Sequence, residues 1–582
     1  MATADKPGPP LREGGRVLVD QLKIQGVDRI FGVAGESFLP ILDALIDVEI
    51  SYIPCRQEGG AAMMAEAHGK LTGRPGICVV TRAPGATNAS AGVHIAHQDS
   101  TPLLLLVGQV ARGALDREAF QEVDFRVMFA PLCKWVAQVE RADRIPEYIS
   151  RAFHVATAGR PGPVVLALPE DVLAESVAVR DGLPARGAQP RADEAEVRRV
   201  HERLLAAERP LLVVGGGGWT AEASTDLRAF AQAHDVPVVA SFRCQDYLDN
   251  DDASYAGDLG VGPNPALAER VRQSDCLVVV GARMGEITSR GYTLLEVPVP
   301  RQPLVHVHAD SGELGRVYRP ELAINASAPS FLAAARGLAP PAGSAGAAGL
   351  AGGSDRAAGR RRVWSQAARA DYLTWSQPVT SPGPVQLAEI VAWLRDALGP
   401  DDIVTNGAGN YTAWLHRFFR YRRYRTQLGP TSGSMGYGLP AAVAASHLHR
   451  DRTVVCFAGD GCFLMHGQEL ATAVQQGLSP ISIVVNNQSL GTIRAHQERR
   501  YPGRVSGTTL HNPDFAAFAR AFGAHGEKVG ATGEFPAAFA RARAAGVPAV
   551  IELALDVEVL TPSATLSQIR ATAQAKHQVL PT

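Results

Sequence analysis

Two side chains stand where oxygen-ligand chemistry is expected in this chain of 582 residues, Asp460 and Asn487. They lie in one stretch, residues 453–491, which reads TVVCFAGDGCFLMHGQELATAVQQGLSPISIVVNNQSLG. Asp460 offers a carboxylate oxygen and Asn487 an amide oxygen. Hard oxygen donors of this kind suit Mg²⁺, which keeps its other positions for water and phosphate oxygens. Gly459 and Gly461 flank Asp460 and let a phosphate approach the backbone, and the helix that follows turns its N-terminus to that anion. The same Asp and Asn also read as ordinary turn residues of an α/β unit. On these residues alone both readings stand.

Specific elements must hold the pair. Residues 453–458 form a short apolar run rich in β-branched side chains, the pattern of a buried strand. Phe463, Gly467, Leu470, Ala471, Val474 and Leu478 then recur every three or four residues, one face of a helix, and Gly477 is placed to stop it. Residues 481–485 read as a second buried strand. Strand, helix and strand make a right-handed parallel unit, which brings Asp460 and Asn487 to the carboxyl ends of neighbouring strands, the edge where open α/β sheets bind ligands.

The whole chain narrows the class. Lys and Arg number 57 against 58 Asp and Glu, a formal net charge of −1, so no global field draws nucleic acid or a membrane surface. The seven cysteines contain no CxxC pair, which fits reduced thiols in a cytoplasmic protein better than a disulfide or zinc framework. The opening MATADKPGPPLREGG is polar, unlike a secretory signal, and no apolar run approaches the roughly 18 residues of a membrane span. The segment RFFRYRRYR at 417–425 interleaves Arg with aromatics; with no basic excess elsewhere, a domain surface or subunit contact is expected of it.

Helical and strand patterns alternate from Gly15 to Gln109, with helices expected over 17–24, 38–45, 60–71 and 87–97 and strands over 30–33, 50–54, 77–81 and 103–107. That alternation predicts a parallel sheet covered on both faces. Glu58 follows a strand at the start of a helix, where the helix dipole favours a carboxylate. His94 and His97 share a helix face without a third ligand and read as structural. Around 173–198 the sequence loosens into a boundary. Residues 211–214 with four following glycines, 276–280 and 304–307 suggest a second strand-and-turn domain, without the spacing of a dinucleotide fingerprint. PPAGSAGAAGLAGGSDRAAG at 340–359 has the composition of a flexible linker.

Several motifs then follow in order: FGVAGESFLPILDAL at 31–45, Glu58, GRPGICVVTRAPGATNASAG at 73–92, STPLLLLVGQV at 100–110, AFQEVD at 119–124, PLCKWV at 131–136, GSMGYGLPAA at 433–442 and the GDG…NN unit. Together they resemble the thiamine-diphosphate-dependent 2-oxo acid decarboxylases and carboligases, on the branch of the acetolactate synthases, over roughly residues 12 to 560. The resemblance implies an α/β fold of three Rossmann-like parallel-sheet domains. These are a pyrimidine-binding domain at 12–185, a central domain at 195–337 and a diphosphate-binding domain at 381–560, with a linker and lead-in at 338–380 and a tail at 561–582.

The resemblance also implies roles. Thiamine diphosphate and Mg²⁺ are the expected cofactors. Glu58, Gln121 and Lys134 are expected at the chemistry. Ala34, Pro84, Asn88, Asn410, Tyr411, Gly433, Met435, Gly459, Gly461 and Cys462 are expected on the cofactor, with Asn410 and Tyr411 donating hydrogen bonds to the diphosphate. Phe120, Arg494 and His496 are expected at the substrate, and Asp460, Asn487 and the Ser489 carbonyl on Mg²⁺. The expected reaction is carboligation or decarboxylation of a 2-oxo acid such as pyruvate. Cleavage of a 2-hydroxyketone or 2-hydroxyacyl compound by the same chemistry is the alternative. A silent subunit of the same fold is a third reading, against which Glu58, Asp460 and Asn487 all count. A homo-oligomer, dimer or tetramer, with active sites shared between chains is expected, and no nucleic acid or membrane partner. Two departures matter. His496 stands where the synthases carry a Trp that shapes the acceptor pocket. GARMGEITSRG at 281–291 lacks their Asp-Asp-Arg, which leaves FAD open.

Overall fold

The computed structural model describes residues 8–338 and 354–579. The chain divides into two units, at 188/189. In the first, six parallel strands run in the order Ser51–Pro54, Arg29–Gly32, Gly76–Val80, Leu103–Gln109, Pro163–Pro169 and Trp135–Gln138. Leu103–Gln109 and Pro163–Pro169 are buried along their whole length. They carry unbroken apolar runs because helices cover both faces of the sheet. The direction of strand addition reverses between Arg29–Gly32 and Gly76–Val80, which opens a crevice at their carboxyl ends. The helices Glu58–Thr72 and Ala83–Asp99 pack beside it on small residues: a Cβ on Gly92 would lie 2.4 Å from the Ala62 Cβ. The first of them starts two residues before the apolar periodicity does, because Gln57 caps it by accepting a hydrogen bond from the Gly60 N–H at 3.0 Å. Glu58 is thereby the first residue of the helix.

The second unit carries two more six-stranded parallel sheets. The central one orders Tyr255–Leu259, Val238–Ser241, Pro210–Val214, Cys276–Val280, Leu304–His308 and Leu322–Asn325. The other orders Gln427–Leu428, Ile403–Asn406, Val454–Gly459, Ile481–Asn486, Ala549–Ala554 and His525–Val529. Its reversal lies between Ile403–Asn406 and Val454–Gly459, so the turns that follow these two strands face one crevice.

One expectation about the chain's connections is corrected. Part of the predicted linker lies outside the described residues, but from Ser354 to Trp375 the chain is a helix. It is fastened to the central domain: Trp364 Nε1 donates to the Pro210 carbonyl at 3.0 Å, and the Arg270 guanidinium pairs with Asp371 at 2.6 Å. The predicted tail forms a helix, Leu566–Val579, whose Leu566, Ile569 and Ala573 are buried. The 417–425 segment joins the central and third domains. Arg420 pairs with Asp251 at 2.9 Å, Tyr424 donates to the Trp219 carbonyl at 2.9 Å, and Tyr421 is 1% exposed. Among the described residues no helix is long and apolar enough to cross a membrane.

Candidate active site

In the first unit, the expected residues gather at the carboxyl edge of the sheet. Ala34 follows the Arg29–Gly32 strand, and Pro84 and Asn88 stand in the opening turns of the Ala83–Asp99 helix. The half-buried Glu58 accepts a hydrogen bond through Oε2 from the Asn88 Nδ2 at 2.9 Å. Its Oε1 has no partner among the described residues and is the oxygen left for a ligand. Asn88 therefore orients the carboxylate. The loop bearing Phe120 and Gln121 is tied to the same corner, because the Gln121 carbonyl accepts from the Ala83 N–H at 3.1 Å. Gln121 holds a left-handed φ of +65°, and Phe120 is 73% exposed beside it. Lys134 does not join them. Its ammonium donates to the Val155, Ala158 and Arg160 carbonyls at and just beyond the end of the Ile145–Thr157 helix. All three protons serve as a helix cap, so the expected catalytic role is corrected to a structural one.

In the second unit, the crevice of the third sheet is a cleft with about 200 Å³ of room. Asn410, Gly433, Met435, Asp460, Asn487 and Ser489 all line it. Asp460 is 3% exposed. Its Oδ1 accepts from the Gly461 N–H and its Oδ2 from the Asn512 amide, both at 2.8 Å. Burial pushes its carboxyl above the usual range, while these donors and the backbone near Gln488 and Ser489 pull it back. It forms no ion pair among the described residues, so a buried carboxylate here is left one cation short. The two adjacent asparagines separate by role: Asn486 turns inward and donates to Glu552 Oε1 at 2.8 Å, and Asn487 lines the cleft. The Ser489 carbonyl accepts from the Gly491 N–H at 2.8 Å and keeps a second lone pair. One carboxylate, one amide oxygen and one carbonyl make a donor set for Mg²⁺ completed by phosphate oxygens and water.

The walls of the cleft differ from expectation at one aromatic. Tyr411 was expected to offer its hydroxyl to a diphosphate. That hydroxyl instead accepts from the Gly407 N–H at 3.1 Å and donates to Cys462 Sγ at 3.2 Å. The ring forms the floor: a Cβ on Gly459 would lie 2.8 Å from Tyr411 Cδ1, so only glycine fits there. Cys462 Sγ also accepts from the Gly436 N–H at 3.2 Å, and this one thiol joins three cleft turns. Asn410 donates to the Leu560 carbonyl at 2.5 Å and steadies the turn from outside. Met435 packs its root on the domain core and extends towards Gly461, whose added Cβ would sit 3.8 Å from the Met435 Cε.

Arg494 is likewise corrected. On the Gly491–Arg500 helix its guanidinium pairs with Glu498 at 3.0 Å, and Arg570 of the last helix pairs with the same carboxylate at 2.8 Å. It ties two helices together and does not line the cleft. Thr492 and Ile493 do, and the exposed His496 follows them one turn later on the same helix face. Asn512 was missed. It bridges Asp460 to Asn486, its amide lying 2.9 Å from the Asn486 Oδ1, and an Asn before Pro513 signals a turn but not which site it closes over.

The Glu498 cluster gives a stability prediction. Arg570 first, then the Gly503 N–H and Arg494, hold the Glu498 carboxyl down at about 2 against an ordinary 4.5. A depressed carboxylate stabilises the fold fully above its unfolded value and loses that contribution as pH falls towards its folded value. Amide protection of the Leu566–Val579 helix should therefore fall between pH 4.5 and 2. Arg570→Leu should weaken that helix at neutral pH and flatten the acid step; an unchanged step in the variant contradicts the assignment.

Comparison with known proteins finds a family model for each of the three domains. Residues 12–128 match the family model of the thiamine pyrophosphate enzyme N-terminal TPP binding domain, 197–335 the central domain and 407–553 the C-terminal TPP binding domain. The acetolactate synthase large subunit of Parasynechococcus marenigrum is 34% identical over 547 residues, 90% of this chain and 84% of that protein. The acetolactate synthase isozyme 2 large subunit of Escherichia coli is 32% identical over 522 residues, covering 89% and 90%. A probable acetolactate synthase large subunit of Methanocaldococcus jannaschii is 28% identical over 559 residues, covering 94% and 92%.

Proposed function

The chain belongs to the thiamine pyrophosphate enzymes, among relatives of the acetolactate synthase large subunits, and from that premise we propose that it joins pyruvate-like 2-oxo acids with loss of CO₂ in an Mg²⁺-assisted reaction. The observation that carries the reading is Asp460, a buried carboxylate with no cationic partner among the described residues, in a cleft with Asn487 between glycine-flanked turns. Thiamine diphosphate, when bound, would supply an acidic carbon as nucleophile towards 2-oxo acids and a sink for the electron pair freed with CO₂.

Asp460, Asn487 and the Ser489 carbonyl would hold Mg²⁺, which would neutralise the charge of a diphosphate in the cleft. Glu58 holds a proton at Oε1 for a ring nitrogen of the pyrimidine, and Asn88 fixes its other oxygen. Met435, which lines the cleft, would pack against the bound cofactor. Leu387, Val485, Leu490 and Ile493 line the cleft with apolar surface that excludes water, which favours a second carbonyl over a proton as the acceptor. A flavin, if the central domain holds one, would be structural, since the reaction has no net redox step. Glu58 and Asp460 belong to different units, and the complete site is formed between two chains of a homo-oligomer.

The test is calorimetric titration of the metal-free protein with thiamine diphosphate, with and without Mg²⁺. Binding should require Mg²⁺, and Asp460→Ala should weaken it by about 100-fold or more, the loss expected when a metal's one charged ligand goes. Equal affinity in the variant would count against the site. The acceptor side gives a separate prediction. His496 follows the cleft-lining Ile493, so His496→Trp should change the ratio of products from mixed 2-oxo acids by about tenfold at unchanged cofactor affinity. Product chromatography that finds the same ratio removes His496 from the acceptor pocket.

A further inference from the structure

The segment after the Val238–Ser241 strand, Phe242-Arg243-Cys244-Gln245-Asp246, belongs to the central domain by sequence, yet its polar groups are spent largely on the third. The Gln245 N–H donates to Gln427 Oε1 at 2.8 Å, and the Gln427 amide donates back to Gln245 Oε1 at 3.0 Å. Gln245 Nε2 donates to the His416 carbonyl at 2.8 Å. Asp246 Oδ2 accepts from the Thr426 and Gln427 N–H groups at 3.1 and 3.2 Å. Arg243 goes deepest. It is 6% exposed, and its two terminal nitrogens part: Nη1 donates to the Pro430 carbonyl and Nη2 to the Gly407 carbonyl at 2.7 Å.

Those two carbonyls belong to the two turns that shape the cleft. Gly407 directly precedes Ala408 and Gly409, which line it. The Pro430 carbonyl also accepts from the N–H of Gly433, which lines it too, at 3.0 Å. A guanidinium is a planar fork of fixed width, so one side chain sets the spacing of both turns. The backbone is bent to deliver it: Arg243 has a φ of +62°, a conformation costly for a side chain of this size. Gly429 leaves room for its passage, since a Cβ there would lie 3.1 Å from the Arg243 Cδ.

We propose that Arg243 is a positioning residue for the cofactor cleft, through which the central domain sets the separation of the 407–411 and 430–436 turns and so the affinity for thiamine diphosphate. The proposal rests on the reading of that cleft as the cofactor site. Arg243→Lys keeps the charge but cannot span both carbonyls, and Arg243→Met removes the charge with the fork. Titration of the apo protein with thiamine diphosphate and Mg²⁺, followed by the fluorescence of the cleft residue Trp414, should show the Kd rising about tenfold in Arg243→Lys and further in Arg243→Met. The apo melting temperature of Arg243→Lys should stay near that of the wild type. A mutation-free measurement guards against misfolded variants: on cofactor binding to the wild type, amide exchange at 242–247 should slow together with that at 407–411 and 430–436. A lower melting temperature with unchanged Kd would make Arg243 merely structural and overturn the proposal, as would unaltered exchange at 242–247. Wild-type protein that binds no cofactor would overturn the reading of the cleft itself, whereas wild-type binding matched by Arg243→Lys would overturn only the role of Arg243.

Discussion

Glu58→Gln lowers turnover by about 10²–10⁴-fold, the usual worth of a positioned proton donor or acceptor, while thiamine diphosphate binds within a few-fold of its wild-type affinity. Gln keeps the size of the side chain and an oxygen for Asn88, whose amide sits 2.9 Å from Oε2. The helix still begins at residue 58, because the cap is Gln57. What is lost is the capacity of the free oxygen to hold a proton. Nuclear magnetic resonance of the bound cofactor's C2 proton checks this directly: exchange as fast as in wild type would remove Glu58 from cofactor activation.

The second large effect is a recovery. Glu58→Gln and Asp460→Ala are each inactive alone, and co-assembly of the two restores about a quarter of wild-type activity. Random reassortment makes about half the dimers mixed, and in each mixed dimer one of the two equivalent sites draws Glu58 from one chain and Asp460 from the other. The other site receives both lesions. The two purified variants, carrying different tags, are dissociated together and reassembled with saturating thiamine diphosphate and Mg²⁺. Confirmed mixed dimers without activity would show that each site is built within a single chain.

How far these residues could be read without coordinates depended on whether their partners are local. The turns at Asp460 and Asn487 were legible because a strand, a glycine break and a helix follow within a few residues, and parallel topology then leaves one place for both. The helix start at Glu58 was legible for the same reason, but its role came from the resemblance alone. Arg494, the Tyr411 hydroxyl and Lys134 were misassigned because their hydrogen-bonding capacity is taken by groups that local pattern does not connect with them: Glu498 with Arg570, Cys462, and the Val155, Ala158 and Arg160 carbonyls. Asn512 lies 52 residues from Asp460, and only the return of the chain past Gln488 brings it back, where the Leu510 N–H donates to the Gln488 carbonyl at 2.8 Å. The helix from Ser354 was hidden by the glycine-rich stretch before it. Its low amphipathicity gives no clear stripe, and the contacts of Trp364 and Asp371 that hold it lie in the central domain.

The central claim is tested most directly by incubating the protein with pyruvate, thiamine diphosphate and Mg²⁺ and measuring CO₂ and the carbon skeleton of the product together. The account predicts one CO₂ for every two pyruvate consumed and acetolactate as the product, with both signals lost in Asp460→Ala. CO₂ released one for one with free acetaldehyde, or no cofactor-dependent consumption of 2-oxo acids at all, would contradict it.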